Sequence, residues 1–159
     1  MIMIKLMALL IIANGTPILA RKIMGSKLAQ PVDGARLWPD GRPVFGPSKS
    51  WLGLISTLPG TIGFGLLLSF SWSIGLAIAA GAMLGDLLSS FIKRRLGFAP
   101  SDMAIFLDQV PESLIPLLLV MQPLQLSLPE ITGLTLAFIV IELILSRILY
   151  RLHIRNRPY

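Results

Sequence analysis

The sequence has no cysteine, which excludes disulfide scaffolds, thiolate metal sites and cysteine nucleophiles together. Histidine occurs once, as His153 in a basic tail, and reads as a surface residue rather than a ligand. Neither a G-x-S-x-G elbow nor an H-E-x-x-H pair occurs, so a serine hydrolase or zinc protease has no support. Charge is scarce as well. Only 14% of the residues are charged, against about 25% in an ordinary soluble domain. What fills the chain instead is apolar: 54% of the residues, with a mean hydropathy of +0.77. That balance rules out a water-soluble globule, and the absence of any short repeat rules out a disordered or fibrous chain. A small integral membrane protein of one domain, residues 1–159, remains.

Five apolar runs stand out: Ile2–Ala20, Trp51–Phe70, Trp72–Ile92, Pro111–Leu128 and Ile131–Tyr150. Each is near the roughly 20 residues an α-helix needs to cross about 30 Å of hydrocarbon. They lack the alternation of barrel strands, so an all-α bundle of about five transmembrane helices is expected. Pro116 and Pro123 interrupt the fourth run. A cleaved signal peptide is the alternative for the first run, but Asn14 and Pro17 suit its apolar core poorly.

The net charge of +6 would suggest nucleic acid in a soluble chain, but its placement points to the membrane. Thirteen of the fourteen basic residues lie in three places: the first connection, the third connection and the C-terminal end. The second and fourth connections have none. The positive-inside tendency therefore predicts an outside N-terminus and long cytoplasmic connections after helices 1 and 3. The first of these, Arg21–Ser50, is longer than a connector needs and rich in turn residues, a composition of functional or disordered loops.

Candidate site residues gather toward that side. Asp86 sits late in the third run, and an ionisable group at membrane depth is a functional candidate by default. Helical spacing puts Asp86, Ser90 and Lys93 or Arg94 on one face, a place for a metal-bound phosphate. Simple pairing of Asp86 with a nearby base, beside ordinary snorkelling anchors, is the other reading. The next connection supplies Asp102, Asp108, Gln109 and Glu112, and Asp86 and Asp108 could converge on Mg²⁺, which favours one or two carboxylates plus substrate phosphates. In FGPSKSWLG (Phe45–Gly53), Gly46, Ser48 and Lys49 suit a phosphate contact. By composition alone a turn followed by a Lys/Trp interface anchor is slightly the better reading, and the segment is not a Walker loop. Asn14, Thr16 and Pro17 either kink the first helix or line a cavity. Gly81 and Gly85 form a small-xxx-small pair expected to pack helices closely.

In order and spacing, ANGTP (Ala13–Pro17), PVDG (Pro31–Gly34), FGPSKSWLG, GDLLSSFIKRRLG (Gly85–Gly97) and LDQVP (Leu107–Pro111) resemble the CDP-archaeol synthase family. That family belongs to the membrane CTP:lipid-phosphate cytidylyltransferases. The resemblance runs from about Ala8 to Tyr150. It implies an enzyme that transfers CMP from CTP to a membrane lipid phosphate, with Mg²⁺ as cofactor, at the cytoplasmic face of the cell membrane. It further implies that Asp86 and Asp108 hold the metal and that Lys93 acts with them in catalysis. Asn14, Gly46, Ser48, Lys49, Ser90, Arg94 and Gln109 would contact nucleotide or phosphate. Two departures are visible. Leu52 stands where family members often carry Arg, and Gly46-Pro47-Ser48-Lys49 stands where many archaeal members read G-D-G-K. A small transporter or a scaffold without enzymatic activity is the rival reading. The former would need internal repeats and midplane charges, for which Glu142 and Lys5 are the other candidates; the latter leaves two long polar connections without a task.

Overall fold

The computed structural model describes residues 1–25 and 30–153. Lys27, Arg155 and Arg157, counted above among the basic residues, lie outside the described residues. The described chain is all-helical: α1 (Ile2–Met24), α2 (Trp51–Leu67), α3 (Trp72–Arg95), α4 (Gln109–Leu119) and α5 (Leu128–Arg151). Three of these, α1, α3 and α5, are long and apolar enough to cross a membrane.

Local chemistry sets the helix starts. Ser50 Oγ accepts the Gly53 N–H at the head of α2, and Ser71 Oγ accepts the Ile74 N–H at the head of α3, each satisfying an otherwise orphaned donor. At α5 the Glu130 carboxylate reaches back to the Ser127 N–H at 2.8 Å, one half of a capping box. In α1, Pro17 has no N–H to give to the helix. Its neighbours bond back onto the same helix, Thr16 Oγ1 to the Ile12 carbonyl at 2.6 Å and Asn14 Nδ2 to the Leu10 carbonyl at 3.0 Å.

The fourth helix departs from expectation. The apolar run 111–128 predicted a full span, but α4 has 11 residues, about 16 Å at 1.5 Å per residue, and cannot cross alone. Pro116 removes a backbone donor within it, and Pro123 prevents the helix from resuming after Val120. Residues 120–127 turn and then deliver the chain to α5. The second helix is also slightly shorter than its apolar run, ending at Leu67 rather than Phe70.

At the centre, α3 packs on α1, α2 and α4, while α5 packs on α4 and α1. Leu6, Leu9 and Leu10 of α1, Ile78 and Ala82 of α3, Leu117 of α4 and Phe138 of α5 fill a common core. Leu67, Leu84, Leu136, Val140 and Ile144 point outward and stay exposed, an apolar exterior suited to lipid. Close approach of α3 and α4 depends on the two glycines at small-xxx-small spacing. A Cβ on Gly81 would stand 2.6 Å from Pro116 Cα, and one on Gly85 would strike the Pro111 carbonyl, 2.7 Å from the Glu112 nitrogen. Backbone cannot yield as a flexible side chain does, so Gly85→Val should lower stability by about 1–3 kcal/mol. Thermal unfolding in detergent checks this, with Gly133→Ala, which meets nothing within 4 Å, as the neutral comparison.

Contacts between distant segments show which helix ends lie together. Lys5 Nζ donates to the Leu68 carbonyl at 2.9 Å, joining the start of α1 to the end of α2, while Lys22 Nζ donates to the His153 carbonyl at 3.3 Å. Loop 30–50 also meets the C-terminal end of α3, as described below. The basic segments are thus gathered at one end of the bundle.

Candidate active site

Loop 30–50 is a folded lobe. Its two ends are zipped antiparallel, with Val32 N–H on the Lys49 carbonyl at 2.9 Å and Trp51 N–H on the Gln30 carbonyl at 3.0 Å. Its middle, bridged between Leu37 and Pro43, docks on the last turn of α3 through two arginines. Arg42 Nη1 donates to the Arg95 carbonyl at 2.5 Å, and Arg95 Nη2 donates to the Pro43 carbonyl at 2.5 Å. Arg95 also pairs with Asp40 at 2.9 Å and lies over the Phe91 ring, 5.1 Å from its centroid. A cation on terminal helix carbonyls satisfies acceptors that the helix leaves open.

The buried carboxylate Asp33 fixes the inside of the lobe. It accepts N–H groups from Ala35 at 3.0 Å, Phe45 at 2.9 Å and Gly46 at 2.8 Å. Burial pushes its pKa up, but the backbone donors together outweigh this and hold it below the ordinary carboxylate value. In the sequence Asp33 stood among turn residues and within the PVDG piece, but nothing there marked its clamp, because its partners lie up to 13 positions away.

From this lobe Lys49 reaches α3 and pairs with Asp86. Desolvation pulls the Lys49 ammonium down, yet Asp86, Glu112 and Asp108 more than offset it and hold Lys49 above its usual pKa. One turn beyond Ser90, Lys93 Nζ pairs with Asp108 Oδ1 at 2.6 Å and also donates to the Asp102 carbonyl at 2.8 Å. Asp108 Oδ2 meanwhile accepts the Ala104 N–H at 3.0 Å, which closes the turn before α4. The loop lobe, α3, the 96–108 connection and α4 therefore converge on one cluster of alternating charge. Glu112 belongs to it, within hydrogen-bond reach of Asp86. In sequence Glu112 carried no distinguishing signal beyond its place after Asp108.

The remaining predicted residues divide into two groups. Gly46 and Arg94 are neighbours: a Cβ on Gly46 would stand 3.7 Å from Arg94 Cδ and 3.9 Å from Nη1. Arg94 is 3% exposed; its Nη2 donates to the Ala99 carbonyl at 3.0 Å, while Nε and Nη1 have no hydrogen-bond partner among the described residues. Ser48 lies half-buried in the turn that the Lys49 N–H closes on the Gly46 carbonyl at 3.2 Å, and Ser90 is buried on α3. Asn14 and Gln109 are engaged elsewhere. Asn14 bonds within α1, and Gln109 takes the Phe106 N–H on Oε1 at 2.9 Å and donates from Nε2 to Glu142 at 3.0 Å. That second bond ties the head of α4 to α5.

The donor set fits a hard divalent cation. Asp86 and Asp108 offer oxygens, each now balanced by a lysine. Among the described residues no three carboxylates or imidazoles close on one point. Two carboxylates completed by substrate phosphates is an arrangement that Mg²⁺ commonly takes.

Residues 1–159, the whole chain, match the CarS-like CDP-archaeol synthase family. The chain belongs to the CDP-archaeol synthase family. A CDP-archaeol synthase of Pyrococcus furiosus is 38% identical over 108 residues, 61% of this chain and 60% of that protein. One from Hyperthermus butylicus is 42% identical over 104 residues, 62% of this chain and 59% of its own length. The matched stretch thus spans about three fifths of these relatives. A solved structure described as an intramembrane enzyme for archaeal membrane lipids biosynthesis superposes with a TM-score of 0.77 at 30% identity, covering 90% of this chain and 91% of that one. The fold is therefore shared with that intramembrane enzyme, and three helices of this chain are long and apolar enough to cross a membrane.

Proposed function

We propose that the protein is a CTP-dependent cytidylyltransferase acting on a membrane lipid phosphate. An oxygen of the lipid phosphate attacks the α-phosphorus of CTP. The new O–P bond forms as the α–β phosphoanhydride breaks, giving a CDP-lipid and pyrophosphate. The observation that carries this reading is the convergence of Lys49, Asp86, Lys93 and Asp108 from separate segments at the basic end of the bundle. Family membership supports it further.

No side-chain nucleophile is required, so catalysis rests on positioning and electrostatics. Asp86 and Asp108 would hold Mg²⁺, which supplies charge neutralisation to the triphosphate. Lys49 and Lys93, which lie against those carboxylates, would neutralise phosphate oxygens of the pyrophosphate leaving group or of the lipid. Arg94, buried beside Gly46 with two nitrogens unpaired among the described residues, suits a further phosphate oxygen. A bidentate guanidinium is well matched to that geometry. The chain crosses the membrane several times, and the basic end faces the cytoplasm, where CTP is available and the acceptor phosphate lies at the leaflet surface.

Transfer of label from α-labelled CTP into lipid tests the reading. Purified protein is offered Mg²⁺ with phosphatidate or unsaturated archaetidic acid. Incorporation requiring both Mg²⁺ and one acceptor is expected, and that acceptor identifies the lipid linkage the enzyme takes. Folded protein that labels neither lipid overturns the proposal.

A further inference from the structure

We propose that Asp33 is a positioning residue for this site, acting through the backbone of residues 45–49 to present Lys49 to Asp86 and Gly46 to Arg94. The inference takes the catalytic importance of Lys49 from the proposed function, but its geometry stands alone. Among the described residues no hydrogen bond or ion pair joins Asp33 to the charged side chains of the cluster. Its hydrogen-bond partners are main-chain N–H groups, two of which, Phe45 and Gly46, begin the segment that carries Lys49.

Just before that segment the Val44 N–H bonds the Arg36 carbonyl at 3.2 Å and Arg95 holds the Pro43 carbonyl, but among the described residues Asp33 is the acceptor for the Phe45 and Gly46 N–H groups themselves. Gly46 has φ +91°, a region in which only glycine rests easily, so the chain there is permissive until something fixes it. One carboxylate oxygen of Asp33 takes both adjacent N–H groups, Phe45 and Gly46, and sets the direction of the turn. The Lys49 N–H then closes on the Gly46 carbonyl at 3.2 Å, and the Lys49 carbonyl accepts the Val32 N–H at 2.9 Å. Lys49 is thereby held on both sides by residues adjoining or bound to Asp33. Gly46, pinned by the same carboxylate, lies against the Arg94 side chain. A shift of the turn therefore moves the backbone beside Arg94 and the root of Lys49 together. Displacement of about 1 Å away from a reacting centre can cost 100-fold in rate.

Two measurements test this on the whole protein in detergent. The first is the rate at which an amine-reactive reagent modifies Lys49, read by peptide mass spectrometry, with Lys5 and Lys22 as internal references. Asp33→Ala should raise the Lys49 rate about ten-fold by allowing the loop to open locally, leaving the references unchanged. Asp33→Asn, which keeps one acceptor oxygen, should fall between Asp33→Ala and the parent. An unchanged Lys49 rate in both variants overturns the inference, whatever happens to activity. The second is the kinetics of cytidylyl transfer. Asp33→Asn should raise KM for CTP or lower kcat by about ten-fold with an unchanged thermal midpoint; a lowered midpoint with parental kinetics also overturns the inference. If the parent transfers no label, the functional reading fails alone, and the Lys49 modification rate still decides the role of Asp33. If Asp33→Ala does not fold, Asp33→Asn decides both measurements.

Discussion

Asp108→Asn is expected to abolish Mg²⁺-dependent transfer while leaving the protein folded. Asparagine keeps an oxygen that can accept the Ala104 N–H, the bond Asp108 makes at 3.0 Å to close the turn before α4. Lys93 retains the Asp102 carbonyl at 2.8 Å, so its ammonium is not left bare. What disappears is the negative charge facing Lys93 and, with it, half of the carboxylate pair assigned to the metal. Loss of one preorganised charge partner at a reacting centre costs about 100- to 1,000-fold, and loss of a metal ligand belongs at the upper end. Initial rates across a Mg²⁺ titration, beside a thermal midpoint, read both halves of the prediction. Near-parental activity would remove Asp108 from the metal site.

The contrast between side-chain identity and side-chain contact explains how far the amino-acid sequence carried. Apolar runs long enough to span gave α1, α3 and α5, because hydropathy over about 20 residues reports a bulk property. The same bulk measure merged α4 with the turn after it. Leu, Val and Met dominate residues 117–126 whether or not they are helical, and only Pro116 and Pro123 mark the difference. Asp86, Lys49, Lys93 and Asp108 were each visible as candidates, yet by composition Lys49 read slightly better as an interface anchor. Its pairing with a residue 37 positions away is set by the folded lobe, and no local window contains it. The lobe was the least legible element. Glycine, proline and aspartate at 31–47 announce turns, whereas the Asp33 clamp on Phe45 and the Arg42–Arg95 exchange join residues 12 and 53 apart. Gln109 shows the converse: it lies in a family-like motif, but its amide is committed to Phe106 and Glu142.

Stability and activity should separate at the other ion pair. Lys49→Met leaves Asp86 facing Glu112 with its counter-ion gone, and about four fifths of each member's side chain is out of solvent in the parent. Removing one partner of a buried pair costs about 3–5 kcal/mol, and partial exposure puts this case near 3 kcal/mol. Adding Asp86→Asn to Lys49→Met removes the uncompensated charge. The double variant should therefore recover most of the lost thermal midpoint, since a buried ion pair can be replaced by neutral groups at little net cost. Transfer activity should stay lost in the single and the double variants alike, at least about 100-fold below the parent. A double variant that regains transfer along with stability would show that the pair serves the fold alone. Regained stability without transfer assigns Lys49 and Asp86 to the chemistry, and explains why a membrane-embedded bundle keeps a charged pair where two neutral residues would fold as well.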